Sequence, residues 1–240
     1  MPNNYFKFKQ FTVYQDKCAM KVCTDACLFG AWAAAHSSQL KARSLLDIGA
    51  GTGLLSLMLA QKLPGIMIDA VEMDEAASQQ AKENFEASPW RERLKVYNTS
   101  VQQFASAAQH KYDIIISNPP FYENNLKSND AKRNLALHSA ELKLEELIKI
   151  SGDLLKDDGK LFILIPYNRT EQLSALIRDH LSIKEIVFVK QTPKHQFFRS
   201  MFLLGKEKSS AVTSEMIVMG GDGRYDGEFI KLLQDYYLLL

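Results

Sequence analysis

The stretch SLLDIGAGTG, Ser44–Gly53, joins a short apolar run to three glycines at alternate positions, Gly49, Gly51 and Gly53. Ser44 to Gly49 reads as a strand. Leu54, Leu57, Met58 and Gln61 then recur at helical spacing, so the glycines make a tight turn from strand into helix. A strand feeding a helix through so short a turn is the repeating unit of a parallel sheet covered by helices on both faces.

The chain on either side repeats that unit. Ile66–Glu72 (IMIDAVE) is the next strand, and Asp74 caps a helix running through Phe85. Arg93–Asn98 (RLKVYN) is a third strand. Tyr112–Ser117 (YDIIIS) is a fourth, with the unbroken apolar run of a strand buried on both sides. A helix from Leu144 to Leu155 precedes Gly159 and the strand KLFILIP. The helix RTEQLSALIRDH leads to IKEIVFVK, and FRSMFLLGKEK follows after a short turn. With no helix between them, these last two strands are antiparallel neighbours. The expectation is an α/β, doubly wound, Rossmann-like sheet of seven strands, mostly parallel, with an antiparallel last strand. Residues 1–240 form one domain, with a short N-terminal extension, 1–43, packed on it.

The 240 residues are 46% hydrophobic and 24% charged, with net charge +1. Global attraction to a polyanion is therefore weak, and any such site depends on local clusters. No apolar run reaches the roughly 20 residues of a membrane span. MPNNYFKFKQ lacks the apolar core of a signal peptide. A cytoplasmic protein without membrane association is expected, and a monomer. Cys18, Cys23 and Cys27 match no zinc spacing, so no metal site is expected. They read as small thiols on a helix and the turn before it.

Glu72 ends the second strand, 19 residues after Gly53, where an acid can accept both hydroxyls of a ribose. The loop is G-x-G-x-G rather than the dinucleotide G-x-G-x-x-G, because Leu54 stands where the third glycine would be. Asp47 ahead of the loop suits a cofactor carrying an ammonium group rather than a diphosphate. S-adenosylmethionine fits this pattern better than NAD.

The fourth strand ends in Asn118-Pro119-Pro120-Phe121. The prolines fix the backbone and lack N–H donors. The corner thus offers acceptors, the Asn118 side-chain oxygen and the Pro119 carbonyl, to both hydrogens of a planar exocyclic amine. Phe121 can stack on the ring that bears it. Accepting those hydrogens favours a pyramidal nitrogen with its lone pair aimed at an electrophilic methyl. A proline-rich turn beside a core phenylalanine is the plain alternative for the corner by itself.

DIGAGTG, AVEMD and NPPF together resemble class I S-adenosylmethionine-dependent methyltransferases acting on amino nitrogens. QDKCAMKVCTDACLFGAW, SPWRERL, ALHSAELKLEELIK and KHQFFRSMFLL narrow the resemblance to the bacterial valine-tRNA adenine-37 N6-methyltransferases, over nearly the whole chain. The resemblance implies cofactor contacts from Asp47, Gly49, Gly51, Glu72, Met73 and Asn118. It puts Thr24 and Asp25 near the methionine end, and Asn118, Pro119, Pro120 and Phe121 at the target base. Relatives often hold the cofactor adenine with an aspartate after the third strand. Here Ser100 stands in its place, and either Ser100 or a backbone carbonyl takes that contact.

From Lys184 to Lys208 there are six Lys or Arg and two acids. Lys190, Lys194 and Arg199, with Lys127, Lys132 and Arg133 after the corner, are the expected tRNA-phosphate contacts. Phe197 and Phe198 read as core. Three other functions remain open: methylation of a protein glutamine amide, methylation of guanine N2, and nucleotide binding without catalysis. The first usually comes with a larger N-terminal recognition domain than 43 residues provide, and the last leaves the corner unexplained. A cytosine C5 enzyme is disfavoured, since no cysteine stands at the corner.

Overall fold

The computed structural model describes residues 3–120, 143–177 and 181–240. Phe121, Lys127, Lys132 and Arg133 therefore lie outside the described residues. The chain opens with an antiparallel hairpin, β1 (Tyr5–Lys7) and β2 (Thr12–Tyr14). There follow α1 (Thr24–Ser37), β3 (Ser44–Ile48), α2 (Leu54–Lys62), β4 (Met67–Glu72), α3 (Glu75–Glu86), β5 (Leu94–Asn98), α4 (Val101–Ala107) and β6 (Tyr112–Ser117). Beyond the corner come α5 (Leu144–Leu154), β7 (Leu155–Pro166), α6 (Thr170–Ile177), β8 (Ser182–Lys190), β9 (Phe197–Gly205), β10 (Val212–Ile217) and α7 (Gly227–Leu233).

Eight of the described strands form one sheet in the order β10-β8-β9-β7-β6-β3-β4-β5. β9 runs antiparallel to both its neighbours, β7 and β8, and the other described pairings in this sheet are parallel. The expected mostly parallel, doubly wound fold and the antiparallel β8–β9 pair are present. The count of seven strands is corrected to eight. β10 follows the antiparallel strand and adds an edge parallel to β8. Its residues, VTSEMI, are exposed or half-buried, so no apolar alternation marks them in the sequence.

Two cores lie on the two faces of the sheet, and adjacent residues of one strand divide between them. Leu45, Ile114, Ile116, Phe162 and Leu164 face α1 and α2. Leu46, Ile115, Leu161, Ile163 and Ile165 face α5 and α6. This period-2 division is why Ile114-Ile115-Ile116 is apolar without a break. From β3 the chain winds outward through β4 and β5, then returns to place β6 on the other side of β3. The crevice at the carboxyl ends of β3, β4 and β6 is thus the topological switch point, where open α/β sheets bind ligands.

Candidate active site

Gly49 and Gly51 hold φ of +74° and +54°, in the left-handed region that glycine alone adopts at no steric cost. Among the described residues a Cβ on either would meet nothing within 4 Å, so none of them fills this side of the turn. The backbone donors of the turn point the other way. Gly49 N–H and Ala50 N–H donate to the Val71 carbonyl (2.8 and 3.2 Å), Gly53 N–H to the Ala50 carbonyl (2.8 Å), and Gly51 N–H to Glu72 Oε2 (2.8 Å). Ser56 N–H, in the first turn of α2, donates to Asp47 Oδ2 (3.2 Å), and Ser56 Oγ donates to the same oxygen (2.7 Å).

These bonds decide what kind of ligand the turn accepts. A diphosphate site needs free N–H groups converging at a helix N-terminus. Here an aspartate occupies that place and favours the positive end of the helix. Two acids, Asp47 bonded to Ser56 and Glu72 bonded to Gly51 N–H, stand next to the turn, which suits a cationic ligand better than an anionic one. Asp47 is fully buried, and its Oδ1 has no hydrogen-bond partner among the described residues. Burial pushes its carboxyl up to about 7, the Ser56 bonds pull it down, and the charge of Glu72 adds to the rise. A sulfonium compound with an ammonium group fits these two acids.

Glu72 Oε1 accepts from Asp74 N–H (2.9 Å), so the acid ties the glycine turn to the entry of α3. Asn98 Nδ2 donates to the carbonyls of Glu72 and Met73 (3.0 and 3.2 Å), which fixes the corner after β4 and leaves the Met73 side chain exposed. Ser100 caps α4, its Oγ accepting from Gln103 N–H (3.2 Å). One of its lone pairs is thus committed to the helix. At the end of β6, Ser117 Oγ donates to the Ile48 carbonyl (2.8 Å) and pins the Asn118 corner beside the glycine turn. Asn118 is half-buried, Pro119 buried and Pro120 exposed.

The expected phosphate contacts are arranged otherwise than sequence position suggests. Arg199 Nε donates to Asp25 Oδ2 (2.7 Å), joining β9 to the start of α1. A residue expected at the RNA and one expected at the cofactor are therefore partners. Lys190 pairs with Glu215 of β10 (2.9 Å) and lies 4.2 Å over the Phe197 ring. Lys194 is exposed in the β8–β9 turn, and Thr24 is exposed at the start of α1. All three thiols are held protonated, Cys18 at about 11 and Cys23 and Cys27 at about 12, mainly by burial. Among the described residues no cluster of His, Cys, Asp or Glu is placed for a metal ion. None of the described helices is long and apolar enough to cross a membrane.

Sequence reasoning missed Ser56 and Asn84. Asn84, on α3, is buried; it accepts from Tyr14 N–H and donates to the carbonyls of Tyr14 and Thr52, each at 2.9 Å. It clamps the N-terminal hairpin to the glycine turn. An asparagine spaced with Ala77, Ala81 and Phe85 on the buried face of an amphipathic helix is the signal that was there to find.

Fold and turn define the class: the chain is a class I methyltransferase. The methyltransferase small domain family matches residues 33–198. The tRNA1(Val) (adenine(37)-N6)-methyltransferase of Flavobacterium psychrophilum is 41% identical over 97% of this chain and 99% of its own. The protein of that name from Christiangramia forsetii is 42% identical over the full length of both. Among solved structures, a predicted O-methyltransferase from Agrobacterium tumefaciens shares the fold at TM-score 0.67 and 17% identity, over 88% of this chain and 96% of that one. The chain belongs to the tRNA1(Val) (adenine(37)-N6)-methyltransferase family.

Proposed function

We propose that the protein methylates the N6 amine of adenine 37 in valine tRNA, using S-adenosylmethionine. The observation that carries this reading is the pairing of a glycine turn beside two acids with Asn118-Pro119 one strand away, in a chain of this family. Glu72 accepts the ribose hydroxyls, and Asp47 favours the ammonium end through the charge it gains on losing its proton. Gly49 and Gly51 allow close approach of the backbone, and Met73 covers the adenine. Thr24 and Asp25 border the methionine end, and Ser100 offers its second lone pair to the adenine amine. When bound, S-adenosylmethionine supplies a methyl group on a positively charged sulfur.

The protein's own part in the chemistry is positioning. Asn118 Oδ1 and the Pro119 carbonyl accept the two hydrogens of the target amine. They aim its lone pair in line with the methyl–sulfur bond, and Phe121 stacks on the base. As nitrogen takes the methyl it becomes cationic, and these two oxygens stabilise it until one proton leaves to solvent. The target must be unpaired and turned out of its stack to reach a strand-end pocket. Phosphate contacts fall to Lys127, Lys132, Arg133 and Lys194, with Lys190 and Arg199 contributing less because acids already pair them. The test is methylation of valine tRNA transcripts with adenine or guanine at position 37, followed by nucleoside analysis. N6-methyladenosine in the first alone is expected. Methylation of both overturns the assignment.

A further inference from the structure

Beyond the Asn118 corner, the carboxyl rim of the sheet carries a second aromatic feature. Tyr167 follows directly on β7, as Asn118 follows directly on its parallel neighbour β6. Its ring meets Phe188 edge-on (5.4 Å, 87°) and Phe197 at a tilt (5.0 Å, 40°), and those two rings meet each other at 5.3 Å. Packing on two sides fixes the ring, yet Tyr167 remains 39% exposed. Its backbone is fixed as well: Thr170 Oγ1 donates to the Tyr167 carbonyl (2.7 Å) and in turn accepts from Ser200 Oγ (2.7 Å).

The surroundings are basic. Lys190 Nζ lies over Phe197 while paired with Glu215, Arg169 is half-buried two residues after Tyr167, and Lys194 and His195 are exposed in the β8–β9 turn. A rigid, part-exposed aromatic ring among cations is the surface that single-stranded nucleic acid takes, the base stacking on the ring and the backbone following the charge. In register, Ser117 pairs with Ile163, so Tyr167 stands three residues farther out than Asn118 on the adjacent strand. From strand rise and spacing, that is a separation on the order of 10 Å. Stacked nucleotides step about 3.4 Å along a strand and unstacked ones farther. The separation therefore suits a near neighbour of the target base.

We propose that Tyr167 is a stacking platform for an unpaired nucleotide adjoining the target adenine. This rests on the tRNA reading above. The platform holds the loop strand open while the target turns towards Asn118, so its contribution belongs to RNA binding and not to cofactor binding or the transfer step.

The test compares wild type with Tyr167→Phe and Tyr167→Leu in steady-state methylation of a valine tRNA transcript. Leucine keeps apolar packing against Phe188 and Phe197 but offers no flat face, so a folded variant is expected. Tyr167→Leu should raise KM for tRNA about fivefold or more, the low end of the loss of one stacked base. KM for S-adenosylmethionine and kcat should stay within about twofold, and Tyr167→Phe should match wild type. A transcript carrying 5-bromouridine beside adenine 37 should photocrosslink to the peptide containing Tyr167. A wild-type KM for tRNA in a folded leucine variant overturns the platform, as does a crosslink confined to other peptides. If wild type itself transfers methyl to protein and not to tRNA, the tRNA reading fails and the platform with it. Normal wild-type activity with an indifferent leucine variant removes the platform alone.

Discussion

At the β3–β4 end of the sheet, charged groups are held by backbone amides and a buried hydroxyl. At the β7–β9–β8 end, they are held by one another. Glu72 takes the N–H groups of Gly51 and Asp74, and Asp47 takes Ser56, so both acids are fixed next to the glycine turn by neighbouring donors. Arg199 and Lys190, by contrast, spend their charge on Asp25 and Glu215. The first arrangement sets two acids in place beside the turn, as the proposed cofactor site requires. The second ties β9 to α1 and β8 to β10, and leaves fewer free cations than the sequence count suggests.

The comparison breaks most readily at Asn118, which belongs to neither end and joins them. Asn118→Ala should lower kcat by about 10²–10³-fold, the usual loss when one preorganised polar partner of the transition state goes. Affinity for S-adenosylmethionine, measured by calorimetry, should change by less than about threefold. Retention of wild-type turnover would reduce the corner to a turn.

Glu72→Ala comes next. It removes charge-assisted bonds to the cofactor worth about 1.5–3 kcal/mol each and leaves the N–H groups of Gly51 and Asp74 without their acceptor. Calorimetry should show cofactor binding at least about tenfold weaker. Unchanged affinity in a folded variant takes Glu72 out of the site.

Asp47 gives the same end a pH signature. Its folded pKa, near 7, lies above the ordinary 3.8, so between these values the unfolded chain is ionised there and the folded chain is not. That contribution to stability is present at low pH and is lost as pH rises from about 4 to about 7. Binding a cation beside Asp47 favours the ionised form. Cofactor affinity should therefore fall as pH drops below about 7, by up to about tenfold per pH unit. Calorimetry across this range should show Asp47→Asn flattening the dependence. An unchanged slope would place the ammonium elsewhere.

The smallest effects belong to the other end. Arg199→Ala strands Asp25 in a pair whose members are 35% and 13% exposed. The loss should be about 1–2 kcal/mol, between that of an exposed pair and that of a buried one. Thermal or urea unfolding measures it, and an unchanged midpoint would make the pair ornamental. Lys194→Ala should flatten the log–log salt dependence of tRNA binding by up to about 0.7–0.9, one phosphate contact. Lys190→Ala should flatten it less, because Glu215 already pairs that ammonium. Equal slopes for the two variants would contradict the division drawn here.

The two ends also differ in how well the sequence could be read. Strand, turn, helix and acid around Gly49 are local, each set by neighbours a few residues away, and the Asp74 cap is visible for the same reason. The ion pairs join positions 174 residues apart, Asp25 and Arg199, and 25 apart, Lys190 and Glu215. No periodicity links such positions, so both cations looked free. β10 escaped because an edge strand needs no apolar face, and the N-terminal hairpin because its strands are three residues each. Asn84 escaped because its partners are main-chain groups brought together only by the fold.

The most direct test of the central claim is transfer of labelled methyl from S-adenosylmethionine by the whole chain to a valine tRNA transcript, wild type beside Asn118→Ala. Digestion should place the label in N6-methyladenosine at position 37 with wild type, and nowhere with the variant. Label in another nucleoside, in protein, or at equal yield with both enzymes would contradict the account.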